Sequence, residues 1–235
     1  MDQGVTADFL GNFLLWTLLP KMAGCNQAEK IRSLFVLIER YYAENPVQQK
    51  YNNLTFKMLQ KKASTPPKLR GRASEVKGLV PFAKQAAEAF CNSNDPVEDT
   101  VKVAAAHLNN LYQIVFAKEQ FNAQAMKEES FKFRTLLRAL EAFHSGAGGN
   151  KWRLKPKLHL MEEICEKQTD CPIDHATYRD EDWGGAMARW AKRRGGYNSV
   201  ASTSRNALTK FCANNRLPTF CGGKKKGCAA GAGMG

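Results

Sequence analysis

Asp95-Pro96-Val97-Glu98-Asp99-Thr100-Val101-Lys102-Val103-Ala104-Ala105-Ala106-His107-Leu108-Asn109-Asn110-Leu111-Tyr112-Gln113-Ile114-Val115 reads as one long amphipathic helix with its start signal intact. Asp95 supplies a capping side chain, Pro96 takes the first helical position, and Glu98 sets negative charge near the positive end of the helix dipole. Val97, Val101, Ala104, Leu108, Leu111, Tyr112 and Val115 then fall on one face at helical period. His107 lies one position off that stripe with no partner motif nearby, which makes it a structural or surface histidine rather than a ligand.

Working outward, the same period recurs on both sides. Thr6 or Asp8 can cap a first helix running through Leu19, where Pro20 ends it. A second helix opens at Asn26 with Glu29 at capping-box spacing, carries Ile31, Leu34, Phe35, Ile38 and Tyr41 or Tyr42, and stops at Asn45-Pro46. Its aromatics fit core packing better than a stacking platform. A short helix spans about 55–62, and Ser64-Thr65-Pro66-Pro67-Lys68 reads as a linker. The Arg70-Gly71-Arg72 that follows reads as a charged loop or a phosphate contact. The helical pattern over 74–92 contains Pro81, which removes a backbone donor and predicts a break or kink. Towards the C-terminus, Met126, Phe133, Leu136, Leu137, Leu140 and Phe143 mark the core side of a helix over about 122–143. Ser145-Gly146-Ala147-Gly148-Gly149-Asn150 then reads as a hinge or boundary. Without a Gly-Lys-Ser/Thr ending, and following a helix rather than a strand, that glycine stretch does not fit a phosphate-cradling loop.

No segment shows a strand's period-two alternation over its length, so the fold class is mainly α, a multi-helical domain. Three regions are expected: a helical domain over 1–145, a helical region over 151–217, and a tail over 218–235. The tail, with Lys224-Lys225-Lys226 among glycines and alanines, holds too little apolar surface to order itself and is expected to be disordered. Lys+Arg outnumber Asp+Glu by 35 to 22, a formal charge of +13, so a polyanion is the first partner to consider. Seven irregularly spaced cysteines and an N-terminus without a signal peptide point to reduced thiols inside a cell. The longest apolar run, Phe9 to Leu19, is broken by Gly11 and Asn12 and is short of the ~20 residues a membrane span needs, so no membrane partner is expected.

Chemistry concentrates between Lys151 and Gly196. A short helix from Lys157 to about Lys167 carries Leu158, Leu160, Met161, Ile164 and Cys165. His159, Cys165, Cys171 and His175 invite a zinc reading, but the spacing of Cys165 and Cys171 is too wide for a paired-cysteine site. Asp180-Glu181-Asp182, flanked by Tyr178 and Trp183, either starts a helix or binds a metal. If Asp182 opens a helix through Lys192, its acids and the basic Arg189, Lys192, Arg193 and Arg194 sit at the ends the dipole favours.

Lys155-Pro156-Lys157-Leu158-His159 followed by Tyr178-Arg179-Asp180-Glu181 resembles the C-terminal catalytic block of DDE/D transposases of the Kyakuja–Dileera–Zisupton and CACTA-like kind. Met1-Asp2-Gln3-Gly4-Val5 and Asp8-Phe9-Leu10-Gly11-Asn12 resemble the block in which an aspartate, a histidine and Asp-x-Gly-Val lead into a helix. The string from Tyr178 to Gly185 is also similar to open reading frames abundant in dinoflagellate genomes that derive from these elements. The resemblance covers the first twenty residues and about 151–217. It implies a remnant of an RNase H-like core, with 1–145 as a helical insertion. It also implies Glu181 as a metal ligand and catalytic acid, joined by Asp180 and Asp2, or by Asp8, around Mg2+ in a catalytic form. Strand transfer of this class uses two divalent ions bridged by carboxylates. The block's upstream aspartate and histidine do not precede Met1, so a truncated transposase without a complete site is the leading expectation, with no cofactor. An active metal-dependent strand-transferase or nuclease is the first alternative, and a helical interaction module without a nucleic-acid role is the second. Lys155, Lys157, His159, Arg179, Arg189, Lys192, Arg193 and Arg194 are the candidate nucleic-acid contacts. DNA is favoured over RNA and a nuclear location is implied. A homo-oligomer is a further expectation, because helices whose apolar faces once covered a sheet would be left exposed.

Overall fold

The computed structural model describes residues 2–145, 150–175 and Thr209, without the side chains of Asp2, Gln3, Lys118, Asp174 and His175. The chain divides into two units, Met1–Ala176 and Thr177–Gly235. The first unit is multi-helical. Among the described residues there is no strand, so the expected remnant of an RNase H-like core finds no sheet in them. The tail over 218–235 lies outside the described residues.

The first unit is built around an N-terminal helical run. It opens with a turn, Asp2–Thr6, kinked at the non-helical Gly4, and continues as α1 (Ala7–Asn12). A π-helical stretch, Phe13–Leu18, and a 3-10 turn, Leu19–Lys21, complete it. The run starts earlier than the expected caps. Thr6 sits inside it, and its hydroxyl is shared with that of Tyr112 at 2.8 Å in the core. Val5, Ala7, Phe9, Leu10, Phe13, Leu14, Leu15, Leu18 and Leu19 are all buried, as a helix apolar on nearly every side demands. Phe9 is its centre, stacked on Phe13 and meeting the rings of Phe133 edge-on and Trp152 at a tilt, with centroids 5.5–6.2 Å apart.

The other helices wrap this run. In α2 (Gln27–Glu44), the Asn26 side chain accepts from Glu29 N, as the capping spacing predicts, and both Tyr41 and Tyr42 are buried. The next helix, α3 (Phe56–Leu59), is shorter than expected. It ends where buried Gln60 turns inward and donates to Thr65 O. The proline-containing segment after it is no slack linker. Lys68, Leu69 and Arg70 donate their N–H groups to Leu59 O, Ala7 O and Met58 O at 2.8–2.9 Å. Gly11 permits this approach, because a Cβ there would stand 2.5–2.6 Å from the backbone of Lys68 and Leu69.

The predicted break near Pro81 is present. α4 (Ala73–Gly78) and α5 (Val80–Phe90) are separated at Leu79, with Pro81 in the first turn of α5, where its missing donor costs nothing. α6 (Pro96–Phe116) packs against α5 and α7 (Ala123–His144), and Asp95 accepts from Val97 N and Glu98 N as expected. His107 bonds Glu129 across α6 and α7 at 2.7 Å and is structural.

α7 departs from expectation twice. Phe143 is 54% exposed, whereas Arg134, within the core stripe, is only 2% exposed. Arg134 holds α8 (Lys157–Lys167) by pairing with Glu162 and Glu166, and Arg138 adds a 3.2 Å pair with Glu162. Leu158, Met161 and Cys165 face the core from α8, while Leu160 and Ile164 are exposed. Residues 150–175 thus pack with the helices that precede the Ser145–Asn150 stretch, inside one unit.

Candidate nucleic-acid interface

The segment Lys151-Trp152-Arg153-Leu154-Lys155-Pro156-Lys157 alternates basic and apolar residues. It runs antiparallel along the N-terminal helical run, held at four positions spaced by four residues. The Lys151 ammonium lies 4.6 Å from the Trp16 ring centre. The Trp152 N–H donates to Asn12 Oδ1 at 2.8 Å, and Lys155 Nζ donates to Asp8 Oδ1 at 2.6 Å. Lys157 lies over Gly4, where an added Cβ would meet its Cδ at 3.2 Å. In a pure α-helix every fourth residue drifts by about 40°. The wider π-helical turns over Phe13–Leu18 reduce that drift between Asn12 and Trp16, while Gly4, with a non-helical φ of −103° and ψ of −111°, lies at a kink in the run.

Two devices fix this arrangement. Trp152 has φ +53°, a left-handed conformation that costs a bulky residue about 1–2 kcal/mol. Burial of its ring, 4% exposed and packed on Phe9, offsets that cost. Asn12, itself buried, accepts from Trp152 N through Oδ1 and donates through Nδ2 to Asp8 O, so its amide is used on both ends. With Trp152 inward, Lys151 and Arg153 on either side are exposed.

A second basic segment meets this one. Lys68, locked beside α1, joins Lys155 and Lys157 around Asp8, which makes three cations to one carboxylate, and Arg70 adds its charge next to Lys68. Burial raises the Asp8 pKa above its ordinary 3.8, against the hydrogen bond and charge of Lys155 and the charges of Lys68 and Lys157. Burial likewise lowers Lys68, helped by its cationic neighbours and opposed by Asp8. The space enclosed between Asp8, Asn12, Trp152 and Leu158 is about 20 Å3, room for little more than one water. The arrangement therefore offers an outer rail of positive charge, not an enclosed substrate chamber.

Of the sequence-predicted contacts, Lys155 and Lys157 stand on this rail. His159 does not: it is an exposed α8 side chain whose Nδ1 is 3.8 Å from Glu162. Arg179, Asp180, Glu181, Arg189, Lys192, Arg193 and Arg194, with the expected helix from Asp182, lie outside the described residues, as do Lys224 to Lys226. So does the Asp2 side chain. Asp8, the other carboxylate considered for a metal, is engaged by Lys155. Among the described residues no three His, Cys, Asp or Glu side chains gather where they could hold a metal ion. Cys165 and Cys171 are both buried, and the Cys171 thiol donates to Val115 O at 3.3 Å. Lys68, Lys151 and Arg153 are the basic residues of this arrangement that sequence reasoning did not single out. The alternation over 151–157 was the signal that could have found the last two.

No family model matches this chain, and no curated protein or solved structure matches it either. Among the described residues no helix is long and apolar enough to cross a membrane.

Proposed function

We propose that this chain is a nucleic-acid-binding protein, derived from a DDE/D transposase of the Kyakuja–Dileera–Zisupton and CACTA-like kind and lacking a complete catalytic site. It acts inside the cell, in the nucleus, on DNA in preference to RNA. The supporting observation is the rail itself. Lys151, Arg153, Lys155 and Lys157 extend along roughly 18 Å of helix, reinforced by Lys68 and Arg70 from a distant part of the chain. Phosphates along a strand are the natural complement of such a row, and each one engaged releases condensed counterions.

The test is anisotropy of a labelled DNA duplex titrated with the full chain over a salt series. Affinity should fall linearly on logarithmic axes. Changing Lys151, Arg153, Lys155 and Lys157 together to Gln should shrink the slope by up to about 0.9 per lost phosphate contact on duplex DNA. Circular dichroism of the variant checks that the helices persist. Absence of binding at low salt both to the duplex and to its separated strands, or an unchanged slope in a folded variant that binds, would refute the proposal.

A further inference from the structure

Trp16 is the one residue of the stretch Phe13–Leu18 that is not buried: 36% of its surface is exposed, while Phe13, Leu14, Leu15, Thr17 and Leu18 are all buried. Burying an indole is worth more than burying most of these neighbours, so an outward tryptophan here forgoes stabilisation. Its position is specific. It stands at the end of the basic rail, in a π-helical stretch, a form often found at functional sites, and its ring is covered by the Lys151 ammonium at 4.6 Å. Lys151 also lines a cleft of about 450 Å3 shared with Arg138, His144 and Arg153. Glu141, the acid in that lining, already accepts from Leu154 N at 2.9 Å. A cleft of that size can seat a nucleotide.

A partly exposed aromatic ring beside a row of cations is the combination by which proteins hold unpaired bases. The ring stacks on a base of any identity while the cations follow the phosphates. A base in a duplex is already stacked on its neighbours and does not present its face. We infer that Trp16 is a stacking platform for single-stranded nucleic acid, with Lys151 moving off the ring to a phosphate as the base arrives and Arg153 holding the adjacent phosphate in the cleft. This rests on the nucleic-acid reading above and adds to it a preference for single strands.

The experiment compares the full chain with Trp16→Leu and Trp16→Phe variants on a short oligothymidylate, the corresponding oligouridylate and a DNA duplex at fixed low salt. Trp16→Leu should weaken single-strand binding on the order of 5- to 150-fold, the worth of one stacked base, with little change on duplex. Trp16→Phe should recover most of the loss, because it keeps an aromatic face. The two oligonucleotides separate a DNA from an RNA strand as the source of the stacked base. Photo-crosslinking of a bromouracil-substituted single strand to the unaltered protein, mapped by mass spectrometry, should mark the Trp16 peptide and needs no variant to fold. Equal losses on single strand and duplex, no loss at all, or a crosslink map without that peptide overturns the platform. Duplex binding without single-strand binding overturns it while leaving the nucleic-acid reading standing. Binding to neither overturns both.

Discussion

Asp8 is the residue on which the rail's charge balance turns. Its carboxylate already answers Lys155, so an arriving phosphate must compete with it. Asp8→Asn should therefore bind duplex DNA more tightly at low salt and steepen the salt dependence by about 0.9, one additional phosphate contact. Stability should move with pH as well. A carboxyl raised in the folded protein stabilises the fold below its unfolded pKa and loses that contribution as pH rises through its folded value. Urea midpoints of the wild type should therefore fall relative to Asp8→Asn as pH rises from below 3.8. Glu129 has the opposite sign. Burial works against its charge, but hydrogen bonds from His107, Asn110 and Lys132 prevail and hold its pKa below the ordinary 4.5. Its contribution is present above 4.5 and lost as pH falls through its folded value. Asn12→Ala removes the acceptor of a buried Trp152 N–H and should cost about 1–3 kcal/mol in urea unfolding.

At the scale of elements, α8 illustrates what periodicity can and cannot say. Its helical register was legible, and Leu158, Met161 and Cys165 face the core as that register allows, yet Leu160 and Ile164 share the solvent side. An apolar residue is not thereby a buried one. The element is positioned by Arg134, a charged residue inside the apolar stripe of α7 that no hydrophobic pattern would place in the core. Arg134→Ala should cost about 2–3 kcal/mol by chemical denaturation, below the range for a fully buried pair because Glu162 and Glu166 can rehydrate. Arg134→Met, which keeps the volume without the charge, should cost less. A Met variant as unstable as the Ala variant would mean that the ion pairs, not the packing, hold α8.

For the whole molecule, the excess of 35 basic over 22 acidic residues is informative only once its placement is known. Evenly spread charge would serve solubility. Here Lys68, at the end of a segment that composition marks as a linker, is brought beside Lys155 and Lys157 by backbone hydrogen bonds, with Arg70 next to it. A short oligonucleotide that binds the folded chain should raise its melting temperature, with a stabilisation of about 2.7 kcal/mol at a hundredfold excess over Kd. Thermal scans at low and high salt check this. The shift should vanish at high salt, where the counterion advantage is gone.

The helices were written in the chain, because capping at Asn26 and Asp95 and the period of the apolar residues are local properties. Pro81 likewise announced its break from its missing N–H alone. The first helical run exceeded its expected start because Thr6, a cap by local chemistry, found a buried partner in Tyr112, more than a hundred residues away. Only the tertiary structure could decide that Gly11 makes room for Lys68 and Leu69, and that Asp8 is enclosed by cations from two other segments. It alone decided that Trp16 faces outward beside Lys151. Those outcomes depend on which surfaces meet, and a local pattern carries no record of its distant neighbour.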